Sequence, residues 1–238
     1  MNTISTNQFL ESLDPSDDAR FNIEHFTDVP KGARKPKPDS LLGQYANLTR
    51  RRVEKLLPQL QEKNEEGAAI YIARNEFNGQ RKLEAISRVR GVHADMDDVS
   101  TKELADLIGL LHPSIVVESS PDRYQLYWQL SDGELLEPAE AKAINQCLAS
   151  RHGADPAAVD VPRLLRLPGF KHMKYRSEGQ TPMVKATCHG IAYTAEEIRR
   201  AFPPIPSANK VPMKPIQAAL SGTPPKQLPS HLAAIAGS

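Results

Sequence analysis

Residues 92–98, Val-His-Ala-Asp-Met-Asp-Asp, constrain the chain more than any other stretch. Their apolar lead-in, and the extended run of residues 87–91 before them, predict a strand. Side chains alternate between the two faces of a strand, so His93, Asp95 and Asp97 share one face while Ala94 and Met96 face the opposite layer. Neighbouring carboxylates repel each other, and the usual remedy is a divalent cation, with Mg²⁺ and Mn²⁺ preferring oxygen ligands. An acidic turn ahead of a helix is the plainer reading of Asp97-Asp98, and an Asp-x-Asp pair alone does not choose between the two. The helix itself is well marked. Ser100 and Glu103 have the spacing of a capping box, and Leu104, Leu107, Ile108 and Leu111 form one apolar face behind it. Asp98, pointing away from Asp95 and Asp97, is expected to cap that helix.

At 238 residues with a net charge of +1, the chain can bury a proper core, and one domain with appendages is the expectation. Any nucleic-acid surface must come from local clusters of Lys and Arg, and these fall at residues 31–37, 50–52, 81–90 and 163–176. A solvated face explains the first two. Cys147 and Cys188 form no Cys-x-x-Cys pair, so neither a disulfide framework nor a zinc knuckle is indicated. The start of the chain carries no basic segment followed by an apolar core, and no window reaches the length of a membrane span. A cytoplasmic protein without membrane partners is expected.

The remaining pattern is that of an α+β domain. A short N-terminal helix, a strand over residues 20–26 and a basic loop lead to Thr49, which caps a helix carrying Val53, Leu56, Leu57 and Leu60; Pro58 should bend or split it, and Gly67 ends it. A strand over Ala68–Ala73 precedes a loop containing Asn78-Gly79. After His112-Pro113, residues 114–118 and 124–130 read as a hairpin joined by Ser119-Ser120-Pro121-Asp122-Arg123, the clearest β signal in the chain. Trp128 is assigned to core packing. Residues 137–151 form a helix with Pro138 in its first turn and Gly153 past its end. A last strand over residues 183–188 and a helix capped by Thr194 and Glu197 bring the domain to residue 202. Residues 203–238 are rich in Pro, Ala, Ser, Gln and Lys without a sustained period, the composition of a flexible tail or linker.

Between these elements lies a segment too basic and too interrupted by proline for simple core filling. Asp160 is followed by Arg163, Arg166, Lys171, His172 and Lys174. Three carboxylates and a basic cluster are what a nucleoside triphosphate requires, because metal ions bridge its phosphate oxygens while Arg and Lys hold its trailing phosphates. The hairpin linking the two groups carries Ser119, Ser120, Tyr124 and Gln125.

The order of these motifs resembles the archaeo-eukaryotic primase superfamily, and within it the RepB-like primase branch of plasmids and phages. The resemblance rests on the Asp-x-Asp strand, the Ser-Ser-Pro turn into Tyr-x-x-Tyr-Trp, and Asp-Val-Pro-Arg-x-x-Arg-Leu-Pro-Gly-Phe-Lys-x-x-Lys. It spans roughly residues 68–188 and is most specific over residues 163–174. It implies a primase-polymerase core over residues 1–202, an RRM-like antiparallel or mixed sheet flanked by helices. It further implies two Mg²⁺ or Mn²⁺ ions on Asp95, Asp97 and Asp160. The nucleotide would meet Ser120 and Gln125, with Arg163 and Arg166 on the triphosphate and Lys171 and Lys174 in support. Gln125 stands where the superfamily usually has His; an amide can donate a hydrogen bond to phosphate but carries no charge. His93 either touches the nucleotide or is a structural histidine.

The implied activity is nucleotidyl transfer: in-line attack of a 3′-hydroxyl on the α-phosphate of an incoming nucleotide, with pyrophosphate leaving, to make primers on single-stranded DNA in plasmid or phage replication. A helicase or a helical primase subdomain, joined through the tail, is the expected partner. The competing readings are a non-catalytic single-stranded nucleic-acid-binding module, which has no need of three acids, and a metal-dependent nuclease, which leaves the basic run without a triphosphate. A rolling-circle initiator would need a His-x-His metal pair, which the chain lacks.

Overall fold

The first element forms where Ser5 accepts the Gln8 N–H and the Gln8 side chain takes the Ser5 N–H in return, a capping box on α1 (Thr6–Leu13). The computed structural model describes residues 3–30 and 32–205. β1 (Arg20–Thr27) follows, then an edge strand β2 (Gly43–Thr49), whose polar residues Gln44 and Asn47 hid it from any alternation rule. Thr49 caps α2 (Arg50–Glu66), which runs through Pro58 without interruption. Pro58 lies on the exposed face, where water can replace the bond that proline cannot donate. β3 (Ala68–Ala73) lies beside β1, and the short pair β4 (Glu76–Phe77) and β5 (Ile86–Arg88) forms a separate ribbon.

β6 (Gly91–Asp97) is the strand expected from its alternation. α3 (Thr101–Leu110) starts at Ser100 with the complete Ser100–Glu103 capping box. Next come the hairpin β7 (Ile115–Ser120) and β8 (Arg123–Gln129), then α4 (Pro138–His152), which ends on Gly153 at φ +75°. A three-residue strand β9 (Leu164–Arg166), β10 (Lys185–Cys188) and α5 (Ala195–Ala201) complete the described chain. The fold is α+β, with its main strands in two antiparallel sheets of order β2-β1-β3-β9 and β10-β7-β8-β6.

Two cores follow from this division. Phe9, Phe21, Ile23, Val53, Leu60, Ile70, Ile72 and Leu165 bury one face of the first sheet under α1 and α2, and Ile115, Val117 and Tyr127 of the second sheet join them. Val92, Ala94 and Met96 turn the other way, meeting Leu107, Leu126, Trp128, Ile144 and Leu148. Trp128 is fully buried, donates its Nε1–H to the Leu111 carbonyl (2.8 Å) and meets the Phe202 ring edge-on at 4.9 Å. Packing continues past residue 202, since the Ile205 N–H donates to the Ala143 carbonyl (3.2 Å). The expected tail over residues 203–238 lies, beyond residue 205, outside the described residues. Among the described residues no helix is long and apolar enough to cross a membrane.

Gly91 opens β6 at φ +141°, and a Cβ there would run into the Trp128 carbonyl oxygen and Arg74 Nη2. Both the backbone and the space therefore require glycine. Gly91→Ala is expected to cost at least about 2–3 kcal/mol. Urea denaturation should show this as a lowered midpoint at unchanged m-value.

Candidate active site

Pairing of β6 with β8 sets Asp95 opposite Gln125 and Asp97 opposite Arg123. Asp97 is half exposed and accepts from Arg123 Nη1 (2.9 Å), while Arg123 Nη2 holds the Asp98 carboxylate (2.9 Å). Asp98, at φ +55°, therefore caps nothing; Ser100 takes the cap and Asp98 shares a guanidinium with Asp97. Asp95 is different. Among the described residues its carboxyl has no hydrogen-bond partner. Burial, then the Asp97 charge, push it up to about 6, with Asp155 adding to the rise and Arg163 and Arg166 opposing it.

The acid that the fold sets beside this pair is Asp155, whereas Asp160 lines the neighbouring basic cleft. The Asp155 N–H donates to the Asp95 carbonyl (2.8 Å), and its side chain accepts the Ala157 N–H (2.8 Å) at the start of a 3-10 turn over Pro156–Ala158. That turn carries the chain away from Asp95. Asp160 emerges beyond it, largely exposed and bonded to Lys142 Nζ (2.6 Å). Sequence reasoning passed over Asp155 because Asp160 alone has the motif's spacing to Arg163.

His93 is not part of the cleft lining. It is buried, its Nε2–H donates to the Ala158 carbonyl (2.9 Å), and its own N–H donates to Asn145 Oδ1 (3.1 Å). Burial, reinforced by the Arg74 charge, pushes it down to about 3, so it stays neutral. Asn145 Nδ2 also donates to the Val159 carbonyl (3.2 Å), so α4 and His93 together tie residues 155–160 to β6.

The basic run divides in the same way. Arg163, Arg166 and Lys174 line a cleft of about 620 Å³ together with Phe26, Asp28, Lys35, Tyr71, Arg81 and Asp160. Arg163 Nη1 donates to the Ala157 carbonyl (2.8 Å), placing it over the turn that follows Asp155. Arg166 pairs across strands with Tyr71 and forms an ion pair with Asp28 (3.1 Å). Lys174 adds a main-chain bond, its N–H donating to Asp28 Oδ2 (2.9 Å). Lys171 is not part of the cleft lining, and Asn64 binds both its N–H and its carbonyl.

Gln125 spends its carbonyl oxygen on the Arg166 N–H (3.1 Å) and so fastens β8 to β9 from a buried position. Ser120 is buried, with no partner for its hydroxyl among the described residues. On the other wall the Tyr71 ring stacks on Phe26 (4.8 Å, 21°), with the Arg166 guanidinium 5.2 Å from its centroid and Lys35 Nζ 3.3 Å from the Phe26 centroid. Asp28, Tyr71 and Arg123 went unread because each reaches the site through a strand pairing or a loop that no local pattern reveals.

The donor set suits a hard cation. Among the described residues Asp95 is an unpartnered, partly buried carboxyl kept from ionising freely by burial and then by Asp97, and the acids beside it, Asp97 and Asp155, offer oxygen. Among the described residues no group of three or more His, Cys, Asp or Glu side chains stands ready to hold a metal. Such carboxylates supply part of a shell that phosphates and water complete, which is the habit of Mg²⁺.

Residues 43–202 match the family model described as the RepB DNA-primase N-terminal domain. Mobilization protein A of Escherichia coli is 32% identical over 143 residues, which are 57% of this chain and 18% of that protein. The crystal structure of primase RepB′ superposes with a TM-score of 0.60 at 23% identity, covering 83% of this chain and 62% of that one. Its catalytic domain in complex with initiator DNA gives 0.58 at 22%, over 82% and 91% of the two chains. The AEP domain of the cyanophage S-2L primase-polymerase gives 0.62 at 17%, over 83% and 97%. The chain thus spans a small part of the mobilization protein and less than two thirds of RepB′. With its sequence matched by the family model over more than half its length and its fold shared with RepB′ and the cyanophage enzyme, the chain belongs to the RepB primase family.

Proposed function

We propose that the chain is a metal-dependent nucleotidyltransferase that synthesises short primers on single-stranded DNA, with residues 1–202 as the catalytic domain. The observation that carries this is one juxtaposition. Asp95, unpartnered and crowded by Asp97 and Asp155, lies within electrostatic reach of Arg163 and Arg166, whose cleft also holds Lys174. A module that only binds nucleic acid gains nothing from acids that repel phosphate; a transferase needs acids and cations side by side.

Mg²⁺ or Mn²⁺ held by Asp95 and Asp97, with Asp155 beside them, would supply positive charge at the α-phosphate and acidify the attacking hydroxyl. The chain's own groups do the rest. Arg163, Arg166 and Lys174 hold the triphosphate, Arg123 keeps Asp97 aimed across the β6–β8 pair, and Gln125 fixes Arg166 through its main chain. The stacked Phe26 and Tyr71 offer an apolar wall for sugar or base. Template binding draws support from the RepB′ catalytic domain, which has been seen with initiator DNA. A helicase or a helical primase subdomain, reached through the segment beyond residue 202, would be the working partner in the cytoplasm.

The test compares extension of an annealed primer by the wild type, Asp155→Asn and Asp160→Asn in Mn²⁺, with an EDTA control. Asp155→Asn should lose about 100-fold or more, the scale of a lost charge at a transfer site, and Asp160→Asn should stay within about fivefold. The reverse order would return the third acid to Asp160. Extension that persists in EDTA would defeat the metal assignment.

A further inference from the structure

Asp28 lies in the loop after β1 with its side chain nearly inaccessible, and three groups converge on it. Arg166 Nη2 donates to its Oδ1 (3.1 Å) and Arg166 Nη1 lies 3.1 Å from its Oδ2. The Lys174 N–H donates to Oδ2 (2.9 Å), and His172 Nε2 stands 4.0 Å from the same oxygen. The imidazole has a fixed tautomer. Its Nδ1–H donates to the Ser119 carbonyl (2.8 Å), which can only accept, so Nε2 carries the lone pair. That Nε2 is buried and has no partner among the described residues.

An acid lining a phosphate cleft is a cost unless it has a second place to go. Arg166 faces the same cleft, and a polyphosphate would compete with Asp28 for its fork of donors. The carboxylate that loses Arg166 has one ready replacement, the unpartnered ring nitrogen 4.0 Å away. That nitrogen becomes a donor only by taking a proton from solvent.

We propose that Asp28 and His172 form a proton-coupled latch on Arg166: an entering polyphosphate takes Arg166 from Asp28, and Asp28 passes to His172, which binds a proton. His172 is then a positioning residue, acting through Asp28, and the inference rests on the reading of the cleft as a phosphate site. The charged groups facing the ring are Arg166 from β9, Lys174 from the 3-10 helix Met173–Glu178 and Asp28 from the loop; Tyr175 meets it edge-on at 4.9 Å. With Arg166 on Asp28, burial and then the Arg166 charge hold His172 at about 4, with the Ser119 bond and Asp28 opposing. Moving Arg166 onto phosphate and Asp28 onto the ring raises it. Between the two values binding takes up a proton, so affinity falls as pH rises, by up to about tenfold per pH unit.

The test uses the full chain with inorganic tripolyphosphate in EDTA, which keeps metal and base out of the measurement. Calorimetry at pH 6.5 in buffers of different ionisation enthalpy gives the protons taken up, and affinities from pH 5.5 to 8 give the slope. Wild type should take up close to one proton more than His172→Asn, which keeps a donor for the Ser119 carbonyl. Asp28→Asn should also lose the uptake and should bind about tenfold tighter than wild type at pH 8, because Arg166 is already released. Equal uptake in all three proteins, or weaker binding by both variants with the slope intact, overturns the latch alone. No binding of tripolyphosphate by wild type overturns the phosphate cleft and the latch together.

Discussion

Asp95→Asn is expected to yield a protein that transfers no measurable nucleotide and yet melts above wild type at neutral pH in EDTA. The loss of transfer should be about 10³-fold or more, the effect of removing roughly 4 kcal/mol of charge stabilisation at the α-phosphate. The gain in stability has the same origin. A carboxyl pushed up to about 6 by burial and by Asp97 is costly to hold ionised in the folded state. At pH 7.5 the full cost is present, on the order of 1–3 kcal/mol. The folded value lies above the unfolded one, so the cost shrinks as pH falls through 6 and is gone only well below 4, where both states are protonated. Melting curves at pH 7.5 and pH 4.5 should therefore differ between the two proteins by about three times as much in free energy at the higher pH. A variant less stable than wild type at pH 7.5 would mean that Asp95 has partners the structure does not contain.

The largest expected loss of stability lies away from the cleft, at Asp14. This buried residue follows α1 and binds Arg90 Nε (2.8 Å) and Arg88, while Glu76 takes both guanidinium groups (2.9 and 3.1 Å). Arg90 is buried and also donates to the Arg20 carbonyl (2.6 Å), so the cluster joins α1, β1, the β4–β5 ribbon and the start of β6. Burial raises Asp14, but Arg90, Ser16 and Arg88 together hold it below the usual carboxylate range. Asp14→Asn leaves buried Arg90 with Glu76 as its one carboxylate among the described residues and should cost about 3–5 kcal/mol, roughly 10–15 °C in Tm. Replacing both partners, Asp14→Leu with Arg90→Met, should recover much of that loss, because an apolar pair leaves no charge stranded. The contribution of Asp14 is present above its unfolded value near 4 and disappears as pH falls through its lower folded value. A loss below about 1 kcal/mol in Asp14→Asn would show that the cluster is solvated and contributes little.

The parts of the fold readable from sequence are those that local chemistry decides. The Ser100–Glu103 and Thr194–Glu197 boxes start helices where they stand, and the alternation through Asp95 and Asp97 fixes β6 and its two faces. The hairpin of β7 and β8 follows from aromatic and β-branched strands around a Pro-Asp turn. What stayed hidden depends on pairings between distant residues. β2 is a polar edge strand, and β9 is three residues inside a proline-rich run, visible only once Tyr71 pairs with Arg166.

The site divides along the same line. That Asp95 and Asp97 share a face was legible because one strand carries both. Asp155 was not, because its place depends on a main-chain bond to Asp95 across 60 residues, and Asp28 reaches Arg166 over a separation of 138. His93 shows the limit of the face rule. It shares a face with Asp95, but β6 runs inward toward its start, so its ring ends among Asn145 and Ala158 instead of in the cleft.

The central claim, that this chain joins nucleotides through Asp95 and Asp97, is tested most directly by primer synthesis on unprimed single-stranded DNA. The assay needs the purified chain, labelled nucleotides of each sugar, and Mg²⁺ or Mn²⁺, with Asp95→Asn and EDTA as controls. Short labelled products that vanish in both controls are the predicted result, and the sugar that supports them gives the substrate preference. Tight binding of the DNA with no product, either unprimed or from an annealed primer, would contradict the claim and leave the chain as a binding module built on a primase fold.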